Sequence, residues 1–125
     1  MEQILKELEK KENIRTNLSN LRQQIKDAQN KFKLQWNMET YGELFMEFLK
    51  SEDAKTRKNA ALLLGDLAYE PAVESLYQAY KEEQTLFVRA SYLQALAELN
   101  VTEKLPDLRD ALQQLLETEP EVENK

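Results

Sequence analysis

The stretch "TRKNAALLLGDL", Thr56 to Leu67, returns 32 residues later as "VRASYLQALAEL", Val88 to Leu99. Arg57 matches Arg89, Ala60 matches Tyr92, Ala61 matches Leu93, Leu64 matches Leu96 and Leu67 matches Leu99. The same offset holds upstream, where "YGELFMEFLK" from Tyr41 meets "VESLYQAYKE" from Val73. Apolar side chains at i, i+3, i+4 and i+7 make each segment one amphipathic helix. The unit is therefore two helices joined by a short turn, written twice.

Turn signals fall at the joints. Thr40 and Glu43 have capping-box spacing for a first helix. Asp53 and Thr85 stand as N-caps of the second helices, and Pro71 suits a first turn. Gly65 and Ala97 are small at one register position, which lets a neighbouring helix approach. A further step of 32 reaches Leu105, Leu108, Ala111 and Leu112 in "LPDLRDALQQLLE", a third first helix with no second. The acidic "TEPEVENK" at residues 118–125 reads as a tail or linker. The missing half repeat suggests a fragment of a larger protein.

At these residues the chain resembles the HEAT repeat family, in particular the short HEAT-like repeats of the bilin-lyase-associated type. The second helix of that family reads roughly V-R-x-x-A-A-x-x-L-G-x-L. Its frequent aspartate, six residues before the arginine, is here Ser51 and Glu83. The resemblance covers residues 40 to 100 and implies an all-α protein, an α-α superhelix, with repeats over residues 37–117. It also implies that second helices line a concave side and that stacked pairs serve protein–protein interaction.

Residues 1–36 are read as one long amphipathic N-terminal helix. They contain no glycine or proline, and Ile14, Leu18, Leu21, Ile25, Ala28 and Phe32 form a heptad-like seam. Such a helix, at about 1.5 Å per residue, would run about 50 Å. Two roles are open: capping the solenoid, with Ala28 and Phe32 lying 32 before Ala60 and Leu64, or forming a coiled coil and a homodimer. Trp36 and Met38 are assigned to the core. Eight bases against five acids give this arm +3, which leaves −9 of the net −6 for the remainder.

Chemistry is sparse. With no histidine, no cysteine and two glycines, the usual general base, zinc ligands, thiol nucleophile and phosphate loop are unavailable. Neither a metal nor a cofactor is expected, and no catalysis. Arg57 and Arg89 are assigned to helix ends or carboxylates between repeats. No apolar run approaches the about 20 residues of a membrane span, and no leader-like segment opens the chain, so a cytoplasmic protein is expected. The acidic body argues against nucleic acid. The expected function is a scaffold for another protein or another domain of the same chain. The partner-binding face is assigned to Lys58, Leu62, Asp66, Gln94 and Glu98. The competing reading is an accessory domain at the start of a larger bacterial enzyme, such as a nucleic-acid methyltransferase, positioning its substrate.

Overall fold

A computed structural model describes residues 1–99; the anticipated half repeat at 105–116 and the tail at 118–125 lie outside the described residues. Every regular element among them is helical: α1 (Glu2–Glu9), α2 (Ile14–Gln24), α3 (Ala28–Trp36), α4 (Met38–Glu47), α5 (Ala54–Asp66), α6 (Val73–Glu82) and α7 (Leu86–Glu98). Short 3₁₀ turns, Phe48–Lys50 and Glu70–Ala72, extend α4 and precede α6. Pro71 sits in the second of these, where its missing N–H costs little.

The single long N-terminal helix is not what forms. α1 ends in a Schellman motif built without glycine: Lys11 takes φ 59°, its N–H bonds Leu8 O at 2.9 Å, and the Glu12 N–H bonds Glu7 O at 2.9 Å. Asn13, also left-handed at φ 47°, starts α2, and asparagine tolerates that region better than most residues. Asn17 locks the corner, its Nδ2 donating to Glu12 O at 2.9 Å. A second break follows at Asp27, whose carboxylate caps α3 by accepting from the Gln29 and Asn30 N–H groups. Leu21 and Ile25 are buried as expected, but Ala28 is exposed and Phe32 is 63% exposed.

The register explains the difference. α1 and α2 are themselves a helix pair, with α2 packed on α5 as α5 packs on α7. Arg15, Arg57 and Arg89 open the three second helices, and Ile25, Leu67 and Leu99 are their buried C-caps. Between them lie Asn17, Asn59 and Ser91, all buried polar residues. The first step is 42 residues and the second 32, the surplus being the turn that carries α3.

A ladder of arginines clamps successive pairs. Arg15 holds Asp53 with both ends of its fork, at 3.0 and 2.7 Å, while Asp53 caps α5 through the Thr56 N–H at 2.9 Å. Arg57 holds Glu83 in the same way, at 2.8 and 3.0 Å, and donates to Ser51 O and Glu52 O. Arg89 donates to Glu83 O, as Arg57 does to Ser51 O. Two caps differ from expectation. Thr85 makes no side-chain cap; the Glu83 carboxylate accepts its N–H instead. Thr40 falls inside the first turn of α4, which starts at Met38, so no capping box forms.

The core runs between the two layers, with Leu8, Leu18, Leu21, Phe45, Leu63, Leu64, Leu76, Tyr92 and Leu96 fully enclosed. α5 is buried continuously from Asn59 to Gly65, because α2, α4 and α7 surround it. Its C-terminus repeats the Schellman pattern: Ala68 takes φ 54°, and the Tyr69 N–H reaches Leu64 O at 3.1 Å. Alanine is strained there, since its Cβ crowds the carbonyl. Ala68→Gly should therefore stabilise the fold by about 0.5–1 kcal/mol, the left-handed penalty outweighing glycine's greater chain entropy. Chemical denaturation reads it; a less stable variant would contradict the cap.

Candidate functional site

The C-terminal ends of the second helices meet at one place. Arg22 on α2 reaches Asp66 on α5, with Nε to Oδ2 at 2.9 Å and both side chains about a quarter exposed. Glu98 of α7 lies against the same spot. Burial raises its carboxyl above the ordinary value and the Asp66 charge adds to this, outweighing the Gln94 hydrogen bond and Arg22. α3 is laid across this end by Gln35, whose Nε2 donates to Leu67 O at 2.9 Å, satisfying an end carbonyl of α5. The result is an open groove of about 740 Å³. Arg22, Lys26 and Lys31 line it together with Asp66 of α5 and Glu98 of α7, and Ile25 and Gly65 also contribute.

A second groove, of about 1040 Å³, runs between the first helices α4 and α6. Its lining is acidic, with Glu43, Glu47, Glu74, Glu82 and Glu83 against Lys50 and Arg57. Glu83 is its polar centre, nearly buried and bonded to Arg57, to the Thr85 N–H and to the Tyr92 hydroxyl at 3.3 Å. Burial pushes the Glu83 carboxyl up, but Arg57 and the Thr85 N–H outweigh it and hold it below its ordinary value. Burial, followed by the Glu83 charge, raises the Tyr92 hydroxyl.

The sequence-assigned face divides accordingly. Asp66 and Glu98 come together in the second-helix groove. Lys58 is half-buried and Gln94 is exposed, and neither lines either groove. Leu62 is buried at 9% exposure and offers no surface to a partner, because its helix is enclosed on several sides. Trp36, assigned to the core, is 80% exposed, whereas Met38 is buried as expected.

Paired helices with an arginine at the head of each second helix decide the family. A family model described as HEAT repeats matches residues 42–123. The chain belongs to the HEAT repeat family. No curated protein and no solved structure matches it. The matched HEAT span starts inside α4, so the α1–α2 pair precedes it and joins the repeats through packing and the Arg15–Asp53 bridge.

Sequence reasoning missed Arg22, Lys26 and Lys31 as groove residues because they stood on a supposed continuous helix. The signal that could have found them is Arg15, with Asn17 two residues on, the same pair as Arg57 and Asn59 at an offset of 42. Among the described residues no group of three or more His, Cys, Asp or Glu could hold a metal, and no helix is long and apolar enough to cross a membrane.

Proposed function

We propose that this HEAT repeat chain is a non-catalytic scaffold whose second-helix groove holds a segment of another protein, or of another domain of the same chain. The observation that carries the reading is the meeting of α2, α3, α5 and α7 around one open groove lined by both cations and carboxylates. Repeat stacks use such extended surfaces for binding. A polypeptide carrying both signs of charge fits the mixed lining, and electrostatic matching sets register and on-rate. A cytoplasmic setting is part of the proposal.

Glu98 and Lys26 are the residues to change. Asp66 is unsuitable because Arg22 holds it, and reversing its charge would set two cations together. Lys26→Glu combined with Glu98→Lys reverses one charge of each sign in the lining at exposed positions, so stability should move by under about 1 kcal/mol. Partners captured by the wild-type chain should be lost from the double variant at equal melting temperature. If every captured partner binds both proteins equally, the groove is not the binding site.

Glu98 gives a further check. Its raised carboxyl binds a proton more tightly when folded than unfolded. The Glu98 contribution to stability therefore rises as pH falls from neutral through that raised value. Glu98→Gln should flatten this rise and leave the protein slightly more stable at neutral pH. A difference in stability between variant and wild type that does not change with pH would contradict the crowding of Glu98 with Asp66.

A further inference from the structure

α3 is the one element that the repeat does not need. Leu34 is fully buried and Gln35 ties it to α5, so one face is fixed. The opposite face carries Phe32 and Trp36, one helical turn apart, 63% and 80% exposed, with rings stacked 6.1 Å apart at 24°. Two large aromatics held together in water form an apolar knob, and such patches mark interaction sites. Lys31 and Lys33 are the only charges on α3. Insertions into repeat proteins commonly fall on a binding face.

The groove between α4 and α6 has the complementary character. Met46, Leu49 and Ala79 supply its apolar lining, while Glu43, Glu74 and Glu82 bring negative charge. Its volume of about 1040 Å³ admits two aromatic rings. We infer that the Phe32–Trp36 knob of one copy of this chain docks in the α4–α6 groove of a second copy, with Lys33 facing the groove carboxylates. A polyanion such as a nucleic acid fits less well, since the chain carries −6 overall and α3 itself brings only two cations. Knob and groove are different patches, so the contact is heterologous, and it grows by addition unless two copies exchange it reciprocally. Two aromatic side chains bury less than the about 1,200–2,000 Å² of stable complexes, so the association is weak and reversible. The knob borders the second-helix groove through Ala28 and Lys31, but the α4–α6 groove shares no lining residue with it, so the Glu74→Lys/Glu82→Lys variant tests this contact without touching the other proposal.

Trp36 is the chain's only tryptophan, so its emission reports on the knob directly. Raising the protein from about 1 µM to about 1 mM spans weak association. Emission should shift to the blue as the average mass in sedimentation rises, and added salt should reverse both. Trp36→Ala, and separately Glu74→Lys with Glu82→Lys, should each weaken association at least about 10-fold, a hot-spot loss. Lys33→Glu should weaken it too, and mixing that variant with the Glu74→Lys/Glu82→Lys variant should restore a mixed complex. A monomer with concentration-independent emission overturns the inference. So does association that survives all three variants. Quenching of dilute, monomeric protein by a single-stranded oligonucleotide would reassign the knob to nucleic acid and overturn it likewise.

Discussion

Gly65→Leu should lower stability by about 3 kcal/mol and the melting temperature by more than about 10 °C. A Cβ built on Gly65 falls 2.8 Å from the Ala95 Cα, which is backbone of α7 and cannot rotate away. Any side chain there must push α5 and α7 apart, and that interface is the most extensive among the described helices. Even Gly65→Ala should be destabilising, although alanine gains about 1 kcal/mol of helix propensity over glycine. Gly42 is the internal control. The nearest atoms to a Cβ there belong to the far end of the half-buried Tyr69 side chain, which can move, so Gly42→Ala should cost much less than Gly65→Ala. Equal thermal melts for Gly65→Ala, Gly65→Leu and wild type would contradict the packing.

Glu83→Ala should cost about 2–4 kcal/mol, measured by chemical denaturation. It removes the acceptor of both Arg57 fork bonds, of the Thr85 N–H and of the Tyr92 hydroxyl. Deleting one partner of a buried pair costs about 3–5 kcal/mol, and the figure is reduced here because Arg57 is 18% exposed and keeps two backbone carbonyls. Acid gives an independent reading. The Glu83 carboxyl is held below its ordinary value when folded, so the unfolded chain binds the proton more readily. The stability it contributes is present above the ordinary carboxylate range and is lost as pH falls through the lowered folded value. Asp53, strongly lowered by its Arg15 and Thr56 hydrogen bonds, acts in the same direction. Glu83→Gln should therefore be less stable at neutral pH and lose less on acidification. An unchanged acid slope would show that Glu83 is not the group that titrates.

The helix pairs around Arg57 and Arg89 were legible because an uninterrupted offset of 32 aligns caps, arginines and small residues together. The first pair was not, although it has the same markers. A search at 32 set Ala28 and Phe32 opposite Ala60 and Leu64, whereas the structural counterparts are Leu18 and Arg22 at 42. The break between α1 and α2 uses left-handed Lys11 and Asn13 in place of glycine or proline, and the break before α3 rests on Asp27, an N-cap that the search for a continuous seam passed over. Trp36 was misplaced for a related reason: a lone tryptophan beside a repeat usually fills a core, but α3 already buries Leu34 and turns Trp36 outward. The arginine partners were half visible. Ser51 and Glu83 replace the family's aspartate, yet Ser51 still gives its carbonyl to Arg57, and Glu83 gives its carbonyl to Arg89 and its carboxylate to Arg57 of the preceding repeat. Of the groove, Asp66 and Glu98 were found by periodicity, and the cations that line it with them depended on a fold of the arm that the pattern did not show.

The α1–α2 pair is the first repeat of the stack and should fold with the others as one unit. Native-state amide hydrogen exchange tests it most directly, since it resolves opening free energy residue by residue. Amides of α2 around Leu18–Gln24 should be protected to the same global level as those of α5. Fast exchange is expected at Asn13 and Ile14, the corner and first turn of α2, whose N–H groups have no helical acceptor. Uninterrupted protection from α1 through that corner would restore a single long helix, and weak protection throughout residues 1–36 would make the segment a free arm; either result contradicts the three-pair stack.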